Sequence, residues 1–130
     1  MGAVQPRVLE LAHGPNFAAF TVLLRSGTPM THVMWVDADD DHVLINTEVH
    51  RTKFKAVERD PRVGVLIWDR DDAYSYVEVR GNVVETTRGP EARAHIDALS
   101  RKYRGRDYDP AIIRSERVIL RIEPGVQLTH

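Results

Sequence analysis

The chain has 130 residues, enough for one domain with a continuous core and too few for two of ordinary size. Its 18 Lys and Arg against 19 Asp and Glu leave a formal net charge of -1, so no long-range positive field gathers nucleic acid, and any anion-binding role has to be local. There is no cysteine, which excludes disulfides, thiolate metal sites and cysteine nucleophiles.

In chain order, the segment Met1 to Leu11, with Gln5, Pro6, Arg7 and Glu10, lacks the apolar stretch of a signal peptide, and Arg7 to Ala12 predicts a short docked helix. No stretch approaches the length of a membrane span, so the expectation is a soluble, cytoplasmic protein. Six short runs rich in Val and Ile then predict strands. They are Phe17 to Leu24, Met30 to Val36, His42 to Thr47, Val63 to Trp68, Tyr76 to Val84 and Val118 to Ile122. The first ends at the turn Ser26-Gly27-Thr28-Pro29, and the second at the acidic loop Asp37 to Asp41. In the fifth, Val77 and Val79 alternate with Tyr76, Glu78 and Arg80, and Gly81 predicts a bulge or sharp bend.

Two further helices are expected. Arg51 to Arg59 carries Phe54 and Val57 on one stripe and stops before Asp60-Pro61. Pro90 to Tyr103 has Pro90 at its first position, Ala92, Ile96, Leu99 and Tyr103 on one face, and Gly105 as its terminator. There is no repeat, linker or low-complexity segment, so residues 1–130 are expected to form one domain. Several strands are apolar on both faces, which fits a nearly closed barrel whose outer surface meets helices or a second copy of the chain. The helices are too few to cover that surface, and a homodimer is expected.

The segment Asn46 to Lys55 holds the densest polar chemistry. A strand ends at Asn46 and Thr47, and Arg51, Lys53 and Lys55 cluster where a helix starts. Helix-start N–H groups lack partners and favour anions; Arg offers a fork, Lys a point charge and Thr a hydroxyl. The three cations therefore read either as a phosphate site or as a solvated helix face. If the helix begins at Arg51, Lys53 points about 200° away from it, so both reach one phosphate only if Arg51 precedes the helix.

Other groups exclude more than they suggest. Asp37, Asp39 and Asp41 with Glu48 match alternate positions of a calcium loop, but His42 stands where glycine is needed and strands flank it; a charged hairpin turn fits better. The six histidines show no zinc spacing, and no metal site is expected. His32 can bond a ligand or the backbone, and His50 borders the basic cluster. No serine has a nucleophile-elbow context. Trp35, Trp68, Tyr74 and Tyr76 suit either a flat cofactor ring or core and interface packing.

Taken together, GPNFAAFTVLLRSGTP, INTEVHRTKFKAVERDPRVGVLIWD and YSYVEVRGNVVE resemble the pyridoxamine 5′-phosphate oxidase-like superfamily, and within it the branch of coenzyme F420-dependent oxidoreductases. The resemblance runs from about Gly14 to Pro124 and includes the helix-ending segment from Lys102 to Tyr108. It implies a mainly β (α+β), FMN-binding-like fold: a six-stranded antiparallel split β-barrel with two or three helices. It implies that Arg51 and Lys53 hold the cofactor phosphate beside Asn46 and Thr47, and that Lys55 meets a polyglutamate tail. Pro29, Met30 and Thr31 would present backbone to the ring edge, and Tyr74 and Tyr76 would approach the cofactor across the dimer interface. No catalytic side chain is implied, because the cofactor carries the hydride.

The resulting expectation is a coenzyme F420-dependent oxidoreductase acting on a small, conjugated substrate. The alternatives are an FMN-binding oxidoreductase of the pyridoxamine-phosphate-oxidase type and a non-catalytic F420 or flavin carrier. A purely structural or partner-binding barrel is a third class, with no affinity for either cofactor.

Overall fold

The computed structural model describes residues 2–130. Helix α1 (Pro6–His13) precedes strands β1 (Phe17–Leu23), β2 (Pro29–Trp35), β3 (Asp37–Ala38) and β4 (Val43–Glu48). Helix α2 (Thr52–Arg59) follows, then β5 (Arg62–Asp69), β6 (Asp72–Thr87), α3 (Pro90–Arg104), a 3-10 turn (Pro110–Ile112) and β7 (Arg117–Thr129). The strands form one antiparallel sheet in the order β2-β1-β5-β6-β7-β4-β3. The sheet curls into a half-barrel compatible with a split barrel, so that β2 comes back towards β4.

The expected six strands are corrected to seven. The additional one is β3, two residues of the acidic segment, in which Asp37 pairs with Leu44 and Ala38 with Val43. A two-residue strand has no periodicity to read. The turn beyond it is fixed by Asp39, whose Oδ1 accepts from the N–H groups of Asp41 at 2.9 Å and His42 at 2.7 Å.

Strand β1 alternates, with Ala18, Phe20 and Val22 buried. These join Val43 and Ile45 of β4, Val65 and Ile67 of β5, Val77 and Val79 of β6 and Leu120 and Ile122 of β7 in one core. From α2, Phe54, Ala56 and Val57 fill the same core. Strand β4 is buried along its whole length, because its other face meets α3: Leu44 packs with Ala92 and Ile119.

Gly81 is where the β6–β7 register shifts, as expected for a bulge. A Cβ there would stand 2.2 Å from the Glu123 carbonyl oxygen, so only glycine permits the strands to approach. Past the shift β7 continues to Thr129, well beyond the expected end at Ile122. Glu123-Pro124-Gly125 reads as a terminator, but the bulge absorbs it. Strand β6 likewise starts earlier, at Asp72, and helix α2 begins at Thr52 rather than Arg51. No helix among the described residues is long and apolar enough to cross a membrane.

Candidate cofactor site

The end of β4 turns into α2 through Val49, His50 and Arg51. The turn is held by Val49 N–H to Glu116 O and Arg51 N–H to Glu48 O, both 3.0 Å. Arg51 is the N-cap, with extended backbone at φ -71°, ψ 145°. It therefore precedes the helix, as the shared use of Arg51 and Lys53 requires. No side chain caps α2, and the N–H groups of Thr52 and Lys53 have no acceptor among the described residues. Such groups carry the positive end of the helix dipole.

Lys53 faces inward and is only 7% exposed. It has no carboxylate or hydrogen-bond partner among the described residues. Burial first, and then repulsion from Arg51 and Arg117, hold its ammonium below the usual lysine value. Arg117, at the start of β7, is 8% exposed and brings a third cation. Its Nε donates to Asn46 Oδ1 at 2.9 Å, Nη1 lies 3.3 Å from Glu48 Oε2, and the guanidinium sits 5.2 Å from the centre of the Tyr108 ring.

Among the described residues Glu48 is the one carboxylate paired with this group. Its Oε1 accepts from the N–H groups of Arg114 at 2.7 Å and Ser115 at 2.8 Å. Burial pushes its pKa up, but these donors and Arg117 outweigh that and keep it below the usual range. Three cations thus face one already satisfied anion, and buried charge without compensation is costly.

Behind Arg117 runs a chain of polar contacts. Asn46 Nδ2 donates to Ala92 O and to His95 Nδ1, each at 3.0 Å, and His95 Nε2 donates to Asp37 Oδ2 at 3.1 Å. The carboxylate of Asp37 makes the Nε2–H tautomer of His95 the consistent assignment and fixes the amide of Asn46. Burial raises the pKa of Asp37, but the bonds from His95 and the Ala38 N–H bring it below the usual value. Asp37, His95 and Asn46 thereby fix the direction of the Arg117 fork.

These cations open onto a cavity of about 620 Å³ between β2, the β4–α2 junction, α3 and the segment leading into β7. Its lining includes Thr31, Asn46, Thr47, Arg51 and Lys53 of the expected residues. Thr47 is buried with its hydroxyl unpartnered within the described chain, whereas the Asn46 amide is already committed to Ala92, His95 and Arg117. Pro29 and Met30 do not line the cavity: Pro29 is exposed at the strand start and Met30 packs against the core. Lys55 lies in a separate hollow with Arg25 and Arg59, which shares Thr52 with the start of α2. Tyr74 is 88% exposed on β6, and Tyr76 stacks on His130 with ring centres 4.6 Å apart; neither reaches the cavity of its own chain.

Sequence reasoning missed Arg117, His95, Arg104 and Tyr108. Arg117 opens an apolar strand, where a cation reads as a solvent-facing end. His95 left a usable signal: it lies three residues after Ala92, beside the buried stripe of α3.

With the site in view, the comparisons place the chain. It belongs to the pyridoxamine 5′-phosphate oxidase family, whose profile matches residues 4–126. A solved structure named F420 reductase is similar over 92% of this chain and 94% of its own, with a TM-score of 0.81 and 26% identity. The conserved hypothetical protein Rv2991 from Mycobacterium tuberculosis has a TM-score of 0.74 at 21% identity, covering 97% of this chain and 83% of that one. General Stress Protein 26 from Bacillus anthracis has a TM-score of 0.67 at 18% identity, covering 95% and 90%. The last two show the fold alone. No curated protein matches.

Proposed function

We propose that the chain is an oxidoreductase that binds coenzyme F420, with the coenzyme phosphate seated among Arg51, Lys53, Arg117, Thr47 and the free N–H groups of Thr52 and Lys53. The ammonium of the inward-facing Lys53, unpaired among the described residues, carries this reading. It faces a cavity beside two further cations and has no carboxylate partner, an arrangement that an arriving phosphate completes. The bound coenzyme supplies hydride transfer to or from a conjugated substrate. The residues of this chain grip the anion, orient the ring and shape the space beside it.

The hollow of Arg25, Lys55 and Arg59 favours F420 over FMN, since F420 carries an acidic tail and FMN ends at its phosphate. The similarity to a structure named F420 reductase points the same way. FMN is the second reading, because the phosphate pole suits it equally.

The proposed protein is a homodimer. The outward face of β6 and β7 carries Tyr74 and Tyr76 on β6, and on β7 Leu128, 38% exposed and opposite Glu78, and Val126, 44% exposed and opposite Arg80, with Glu78 and Arg80 paired to each other at 2.9 Å. Exposed aromatic and aliphatic side chains around an internally paired Glu and Arg suit a subunit contact. This is the face on which Tyr74 and Tyr76 would approach a neighbouring copy.

Titrating the purified protein with F420 and with FMN, read by cofactor fluorescence, tests the proposal. Saturable F420 binding is expected, with affinity reduced roughly 10–100-fold in Lys53→Met, the loss of one charge-assisted phosphate contact. Unchanged affinity for both cofactors in Lys53→Met and Arg51→Ala would remove it. Tight binding with no substrate-dependent oxidation of reduced F420, assayed across quinones and enones, would make the protein a carrier instead.

A further inference from the structure

The cavity holds a further cation, Arg104, joined to Arg117 by a run of aromatic contacts. Arg117 lies over Tyr108, the Tyr108 ring meets Trp35 edge-on at 6.2 Å and 88°, and the Arg104 guanidinium sits 5.2 Å from the Trp35 ring centre. Tyr103 stacks on the same indole at 5.0 Å and 5° and holds it flat. Tyr103 is itself fixed, since its hydroxyl accepts from Val36 N–H at 3.1 Å and donates to Asn16 O. Trp35, Tyr108, Ile112, Arg104 and Arg117 all line the cavity.

Arg104 differs from its neighbours on α3. Arg101 is paired with Asp107 at 2.5 Å and Arg93 with Asp97 at 2.8 Å, and Lys102 bonds the carbonyls of Ala12 and Val36. Arg104 has no ion pair and no hydrogen bond among the described residues. An unpaired guanidinium beside a rigid indole offers an anion contact and a flat apolar surface together.

We propose that Trp35, Tyr108 and Arg104 form the substrate side of the cavity, and that the substrate is a planar conjugated molecule bearing a carboxylate. Its rings lie against Trp35 and its charge meets Arg104. This rests on the reading that Arg51, Lys53 and Arg117 are occupied by the coenzyme phosphate, which leaves Arg104 free for a second anion.

The test uses naphthalene-2-carboxylate and its neutral counterpart naphthalene-2-carboxamide, with inorganic phosphate present to fill the other pole. Binding is read from tryptophan emission in a Trp68→Phe background, where Trp35 is the remaining indole. The carboxylate is expected to bind about tenfold more tightly than the amide. Arg104→Met should abolish that preference and Arg104→Lys retain part of it, while F420 affinity stays unchanged in both. Equal affinity for the two probes, or an unaltered preference in Arg104→Met, overturns the proposal. So does a preference that disappears in Lys53→Met and survives in Arg104→Met, since the probe would then sit at the phosphate pole. Loss of F420 binding with the carboxylate preference intact defeats the coenzyme reading and leaves this wall standing.

Discussion

Lys53 sets the pH behaviour of the site. Its ammonium is held below the ordinary lysine value of 10.5, and anion binding uses the protonated form. Affinity for F420 is therefore expected to fall as pH rises through that lowered value. Arg stays charged throughout, so Lys53→Arg should flatten the profile. Isothermal titration between pH 7 and pH 10 checks this, and a flat wild-type profile would contradict it. Lys102 and Tyr103 set the stability of the protein in alkali. Burial pushes Lys102 down to about 8, below the 10.5 of the free group. Between those values the unfolded chain holds the extra proton, so stability rises with pH there, and Lys53 adds to the rise. Burial pushes Tyr103 up to about 12 from 10.0, so between these values the folded chain holds the extra proton and stability falls. Thermal melts should thus improve above about pH 8 and reverse above about pH 10. Lys102→Met should shrink the rising limb and Tyr103→Phe the falling one.

At the scale of elements, the contacts from Asp37 to Glu48 tie β3, β4, α3 and β7 together behind the cavity. Asn46→Ala leaves Arg117 Nε, Ala92 O and His95 Nδ1 without their partner. A loss of about 1–3 kcal/mol in stability is expected, with weaker phosphate binding although no charge has changed. Urea unfolding together with F420 titration measures both; full affinity in the variant would show that Arg117 needs no such support. Gly81→Ala places a methyl group against the Glu123 carbonyl and should cost about 1–3 kcal/mol, or roughly 4–10 °C in Tm. The helices were legible in the sequence because their punctuation was local: Pro90 and Gly105 bracket α3, and Asp60-Pro61 stops α2. Strand lengths were less legible. The β7 extension depends on pairing with β6 across a bulge, and β3 depends wholly on β4. The basic cluster was half legible. Arg51 and Lys53 stand two residues apart, whereas Arg117 reaches them only through the β4–β7 ladder, which pairs Thr47 with Val118. Lys55, although next in sequence, is turned by the helix into another hollow.

At the scale of the whole molecule, Tyr74, Tyr76, Val126 and Leu128 on the outward face of β6 and β7 predict a dimer in solution. Sedimentation should show twice the chain mass of 14.8 kDa. Val126→Glu with Leu128→Glu should give a folded monomer, because both side chains point outward and carry no core. Weaker F420 binding in that monomer is expected if Tyr74 or Tyr76 completes the partner's site; undiminished binding would confine the site to one chain.

Among the described residues strand β2 has a strand neighbour on one side only, β1, and yet it supplies Thr31 to Trp35 along the cavity. One wall of the site is thus a free margin of the sheet, held by a single hydrogen-bonded ladder. Its outward amides lie open to solvent exchange, and a bound molecule that bridges the wall to α2 would slow them. Deuterium uptake along residues 31–35 would then serve as a gauge of occupancy that needs neither a coloured cofactor nor turnover.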